Sequence, residues 1–178
     1  MSNRLDTPLD LGALQTDLTA LRDQVDAEGV LLPYQRRYIQ EAAGAQLVVA
    51  EKSRRIGITW TEAGDSALFA ATTRADGGDD VSYIGYNLEM AREFIDAVGN
   101  WARAFNYAVE DIQEEIFVDA SPGQEDRHIK AFRIDFGSGN KIIALSAKPR
   151  SLRGRRGRVI LDEAAFMDDL EGMIKSAL

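Results

Sequence analysis

Cysteine is absent from the 178 residues, and histidine occurs once, as His128. Disulfides, thiolate metal sites and imidazole pairs are therefore excluded, and with them zinc centres and Ser-His-Asp chemistry. Long apolar runs are missing too. No stretch approaches the roughly 18 apolar residues of a membrane-spanning helix, and the opening MSNRLDTPLD lacks the basic-then-apolar order of a signal peptide. The chain reads as a cytoplasmic protein with no membrane attachment. Catalysis has to run on carboxylates, lysine, arginine and hydroxyls.

With 45% hydrophobic residues, this length suffices for one substantial core, about one domain. The net charge of −8 argues against an all-round nucleic-acid-binding surface, but the charge is unevenly placed. Residues 110–126 carry seven acids and no base. Residues 148–158 carry Lys148, Arg150, Arg153, Arg155, Arg156 and Arg158 and no acid.

Along the chain, Leu11, Leu14, Leu18, Leu21 and Val25 at three- and four-residue spacing predict an acidic amphipathic arm within residues 1–30. A second helix opens near Pro33, where a missing N–H costs nothing. Leu47–Ala50 reads as a short apolar strand, and Thr59 to about Ala71 as a helix with Trp60, Ala63, Ala67 and Ala70 on one side. A turn at 75–80 precedes a strand over Val81–Tyr86. The next helix is capped by Asn87 and buries Leu88, Ala91, Ile95, Val98, Ala102 and Phe105. A loop around Ser121-Pro122-Gly123 contains His128 as a solvated residue. It leads into a hairpin of Phe132–Phe136 and Lys141–Leu145, followed by a strand over Arg158–Leu161 and a helix from about Asp168. Strands alternating with helices predict an α/β fold with a parallel sheet covered on both faces, the apolar strands at 47–50 and 159–161 at its centre.

Two segments carry chemistry. In a phosphate-binding loop of the pattern glycine, four residues, glycine, lysine and Ser/Thr, backbone amides wrap phosphates at a helix start, the lysine offsets charge and the hydroxyl reaches magnesium. The matching octapeptide here is Lys52-Ser53-Arg54-Arg55-Ile56-Gly57-Ile58-Thr59. Gly57 and Thr59 stand in place, but Ile58 occupies the lysine position and Lys52 the first glycine position. Because such a loop curls, its ends lie close, and a lysine entering from the first position reaches the same oxygens. The same octapeptide also reads as a basic surface turn. The second segment is Arg158–Glu163, an apolar strand ending in two acids. Adjacent strand residues point oppositely, so Asp162 addresses a metal and Glu163 an attacking water. Taken alone, the pair also reads as helix-capping acids. Upstream, Gln35 offers the donor and acceptor that an adenine edge requires, although an ordinary helix start explains it equally.

With the octapeptide, with Val159–Glu163 followed by Ala164-Ala165-Phe166, and with Pro33-Tyr34-Gln35, the chain resembles the large subunit of phage terminases, in particular the Mu-like group, over about residues 30–178. The resemblance implies a P-loop NTPase of the ASCE, RecA-like kind: a three-layer sandwich with a mostly parallel sheet, incomplete at the C-terminus, with the ATPase domain at 31–178. It implies a ring-forming ATPase that drives double-stranded DNA into a phage procapsid with a portal protein and a small subunit. ATP and Mg2+ follow as cofactors. By carry-over, Lys52, Ser53, Arg54, Arg55, Ile56, Gly57, Ile58 and Thr59 bind the nucleotide, Gln35 contacts adenine, Thr59 and Asp162 hold the metal, Glu163 is the catalytic base, and Arg153 acts on a neighbouring subunit's nucleotide. The family's next strand belongs between the phosphate-loop strand and the carboxylate strand, ahead of a nuclease domain. The chain stops before both, so the expectation is a fragment with weak or no ATPase activity alone. Two other readings stay open: a helicase-type ATPase, and an inactive module that only binds partners.

Overall fold

In the computed structural model, the described residues are 29–105, 113–119, 127–148, 152 and 154–177, with the backbone alone described for 113–119 and 127–130. The predicted N-terminal arm and Arg153 lie outside them. The chain divides into two compact units, Met1–Val48 and Val49–Leu178.

In the first unit, α1 spans Pro33–Ala42, with Pro33 at its first position. The Gln35 side chain reaches back to its own helix start, its Oε1 accepting from the Leu32 backbone N–H at 2.8 Å. This is one arm of a capping box. Gln35 is buried.

The second unit is built on five strands: β1 Val81–Gly85, β2 Gln113–Asp119, β3 Arg127–Asp135, β4 Lys141–Ser146 and β5 Arg158–Leu161. Their order in the sheet is β2-β3-β4-β1-β5. β1 runs parallel to β4 on one side and to β5 on the other, with Ile84 opposite both Leu145 and Leu161. β2, β3 and β4 form an antiparallel meander, so the sheet is mixed.

Two helices, α2 (Ile58–Ala71) and α3 (Leu88–Ala104), pack together over one face. Small residues make that approach possible: Ala63, Ala67 and Ala70 are fully buried. A Cβ on Gly64 would stand 2.9 Å from the Trp101 ring. α3 starts as expected, the Asn87 side chain accepting from the Met90 N–H at 2.9 Å. It buries Ala91, Phe94, Ile95, Val98, Trp101, Ala102 and Phe105. On the other face, Ile84, Ile143 and Leu145 pack with Leu152, Met167 and Met173, the last from α4 (Leu170–Ala177). Each large aliphatic side chain fully buried this way contributes about 1.5–3 kcal/mol.

Three expectations need correction. Residues 47–50 form no strand, and Leu47 and Val49 are 72% and 89% exposed. β5 lies at the sheet edge with all four residues half-buried, while β1, beside it and between β4 and β5, is buried throughout. The physical reason is pairing. A four-residue apolar segment becomes a strand only beside a partner for its N–H and C=O groups, and among the described residues no strand lies beyond β5 to provide one. Residues 113–119, for which the sequence predicts no element, form β2, and His128, read as a loop residue, falls within β3.

The basic stretch near 148–158 is partly tied down. Arg158 pairs with Asp65 and lies 4.3 Å over the Phe69 ring. Arg156 approaches Asp79 and Asp80 at 3.5–3.6 Å.

Candidate functional site

Parallel sheets place ligands outside the carboxyl ends of their strands, where neighbouring connections part to opposite sides. β1 is such a point, because β4 and β5 lie on either side of it. β5 ends at Leu161, and the next residue, Asp162, is hydrogen-bonded into that end of the sheet through its N–H to the Ile84 carbonyl at 3.0 Å.

The loop entering α2 closes onto the same place. Gly57, at the N-cap of α2, has φ 77°, a left-handed conformation that glycine adopts without steric cost. No side chain caps α2, and its first turn carries no acid, so its positive end is not offset locally. Thr59, in that first turn, donates from Oγ1 to Asp162 Oδ2 at 2.6 Å. Lys52 Nζ lies 2.8 Å from Glu163 Oε1 and 3.2 Å from Asp162 Oδ1. The second oxygen of Asp162 is thus the hydroxyl acceptor, and its first faces the ammonium and the Glu163 backbone N–H, at 2.9 Å.

A further side chain reaches the cluster from β1. The Tyr83 hydroxyl donates to Asp162 Oδ2 at 3.0 Å, and its ring stacks on Phe94 with centroids 3.8 Å apart. Burial, followed by the charge of Asp162, pushes the phenol well above its ordinary range, so it remains a proton donor. Burial alone would lower the Lys52 ammonium. The hydrogen bond to Glu163 and the charges of Asp162 and Glu163 outweigh it, and its pKa is raised.

A cavity of about 290 Å³ opens beside this cluster, lined by Lys52, Ser53 and Arg55–Trp60 from the loop and helix start, by Glu93, Phe94 and Ala97 of α3, and by Glu163. A second hollow of about 450 Å³, lined by Arg54, Arg55, Tyr86, Met90, Glu163 and Phe166, adjoins it. Two non-glycine residues with positive φ occur among the described residues, Arg55 at 60° and Glu163 at 55°, and both line both cavities. Such backbone costs of order 1–3 kcal/mol each and concentrates at functional sites.

Of the residues singled out from sequence, the structure brings Lys52, Thr59, Asp162 and Glu163 into contact, with Ser53, Arg55, Ile56, Gly57 and Ile58 around the cavity and exposed Arg54 on the adjoining hollow. Gln35 belongs to the other unit, and Arg153 lies outside the described residues. Tyr83 was not foreseen. A tyrosine inside an apolar strand reads as core, and nothing local in the sequence announces that its hydroxyl meets a carboxylate 79 residues later.

The donor chemistry suits a small, hard cation. Asp162 and Thr59 present a carboxylate and a hydroxyl side by side, while among the described residues no cluster of three or more His, Cys, Asp or Glu could cage a metal. Magnesium is ordinarily held in this open way, by one or two carboxylates plus substrate phosphates and water.

No protein-family model matches the chain. It is 50% identical over 153 residues to the Mu-like prophage FluMu protein gp28 of Haemophilus influenzae, a match covering 86% of this chain and 29% of that relative. The chain belongs to the terminase large-subunit group of Mu-like phages. The probable terminase, large subunit gp28, of Escherichia phage Mu is 45% identical over 152 residues, covering 84% of this chain and 27% of that relative. This terminase chain therefore spans less than a third of the length of the curated relatives it matches. Among its described residues no helix is long and apolar enough to cross a membrane.

Proposed function

We propose that the chain carries the nucleotide site of an ATPase motor that packages double-stranded DNA into a phage procapsid. The observation that supports this most is the meeting of Lys52, Thr59, Asp162 and Glu163 beside one cavity, drawn from segments 103 to 111 residues apart. A basic surface turn and a pair of capping acids have no reason to converge in this way. The fold that accompanies this reading is a P-loop NTPase of the RecA-like kind.

In the reaction, the amides at the start of α2 and the turn at Arg55–Gly57 cradle the nucleotide phosphates. Lys52 leaves Glu163 for the phosphate oxygens, doing from the loop's first position what a lysine at position 58 would otherwise do. Asp162 and Thr59 would hold magnesium. When bound, that ion would offset the charge that builds up on the phosphate oxygens. Glu163, released from Lys52, accepts a proton from the attacking water. Gln35 as adenine contact, Arg153 as an arginine acting across subunits, and a ring assembled with a portal protein and a small subunit belong to this reading through the family. The case for an inactive module rests on Ile58, and the position of Lys52 against both carboxylates supports the active reading instead.

The test is ATP hydrolysis by the full-length protein with and without magnesium, beside Glu163→Gln. The expected result is magnesium-dependent turnover that falls by about 100-fold or more in the variant while nucleotide binding persists. Turnover in Glu163→Gln equal to that of the wild type would refute the assignment.

A further inference from the structure

Asp162 has four close partners: the Thr59 and Tyr83 hydroxyls on Oδ2, and Lys52 Nζ with the Glu163 amide on Oδ1. In the reaction proposed above, two of them change roles. Lys52 follows the phosphates, and Thr59 would offer its oxygen to the ion. The Glu163 amide and the Tyr83 hydroxyl have no other task there.

Tyr83 is also rigidly placed. It lies on β1, an interior strand between β4 and β5, is fully buried, and its ring is held flat against Phe94, with 7° between the planes. A phenylalanine would fill that volume without carrying a hydroxyl into the core, where an unpaired polar group is costly. The hydroxyl that is present lies 3.0 Å from a carboxylate only 7% exposed.

We propose that Tyr83 is a positioning residue that holds the Asp162 carboxylate in the orientation that receives magnesium. The proposal rests on the reading of Asp162 as the metal carboxylate. A donor fixed on a rigid strand restricts rotation of the carboxylate about its Cβ–Cγ bond and occupies one lone pair of Oδ2, leaving the positions now taken by Thr59 and Lys52 as the ones to be exchanged for the ion. Partners of this kind behind a metal ligand set affinity for the ion, typically by about 10-fold or more. Tyr83 itself touches no reacting atom.

The experiment uses the full-length protein and a fluorescent ATP analogue, titrated with magnesium chloride after binding in EDTA, for wild type, Tyr83→Phe and Asp162→Asn. Melting temperatures are recorded alongside. The expected result is that Tyr83→Phe binds the analogue in EDTA as the wild type does, while its magnesium midpoint rises about 10-fold. Asp162→Asn should lose the magnesium response. If Tyr83→Phe fails to fold, 3-fluorotyrosine at position 83, a stronger donor of nearly the same volume, provides the test and should lower the midpoint. An unchanged magnesium midpoint in a folded Tyr83→Phe, whatever happens to its melting temperature, overturns the positioning role and leaves the metal reading standing if Asp162→Asn is still impaired. Equal magnesium responses in wild type and Asp162→Asn overturn both.

Discussion

Lys52→Ala removes the ammonium that lies against both carboxylates, 2.8 Å from Glu163 and 3.2 Å from Asp162. In the proposed reaction, that ammonium exchanges partners when a phosphate arrives. A unit charge pair at about 4 Å in surroundings of effective dielectric about 20 is worth about 4 kcal/mol. Part of this is returned, because Lys52 gives up pairing that it already has, and its side chain is 21% exposed, so solvent screens a further part. A net loss of about 2–3 kcal/mol remains, or about 30- to 150-fold in Kd. Ile58→Ala removes only a half-buried aliphatic side chain from the helix start, so its cost falls on stability, about 1 kcal/mol, with affinity within about twofold. The assay is calorimetric titration of the full-length protein with a slowly hydrolysed ATP analogue and magnesium, with thermal melts confirming that both variants fold. Equal retention of binding in the two variants would refute the argument that a lysine at the first loop position replaces the one at 58.

Three further outcomes follow from the same geometry. Because the Lys52 pKa is raised in the folded state, the stability its pairing provides is fully present below its ordinary value, near pH 10.4, and is lost as pH rises through the raised value. Urea midpoints of wild type and Lys52→Ala should therefore converge in the alkaline range above about pH 10.5, and a gap that widens there would contradict the pairing. Gly57→Ala forces a Cβ into backbone with φ 77° and should cost about 1–2 kcal/mol in denaturant unfolding, together with a loss of nucleotide affinity. Unchanged values would mean that the turn is not held in this form. Gly64→Ala drives a methyl to within 2.9 Å of the Trp101 ring and should destabilise by about 1–3 kcal/mol, visible as a lowered melting temperature.

The sequence was most informative where pattern and local physics agree. The helix with the Asn87 cap and its apolar stripe, the Phe132–Leu145 hairpin, and the strand ending at Asp162-Glu163 were all readable, because periodicity, capping and turn chemistry are written within a few residues. Residues 47–50 misled because an apolar run becomes a strand only when another strand pairs with it, and that partner is not local information. β2 was hidden because seven acids in residues 110–126 suggest solvent, whereas residues 113–119 gain their strand from backbone pairing with β3, which is not local information. For the candidate site, the octapeptide and the carboxylate pair were visible separately. Their contact was not, and neither was Tyr83, whose hydroxyl acquires meaning only when β1 and β5 lie side by side in register. The basic stretch shows in the sequence only as six bases without an acid, and the fold pairs Arg156 and Arg158 with acids far away in sequence.

The most direct test is a structure of the full-length protein with a non-hydrolysable ATP analogue and magnesium. The account predicts Lys52 Nζ about 3 Å from a β- or γ-phosphate oxygen, magnesium beside Asp162 and Thr59, and Glu163 released from Lys52 and facing the γ-phosphate. A nucleotide bound away from residues 52–59, or phosphates in place with Lys52 still on Glu163, would contradict it.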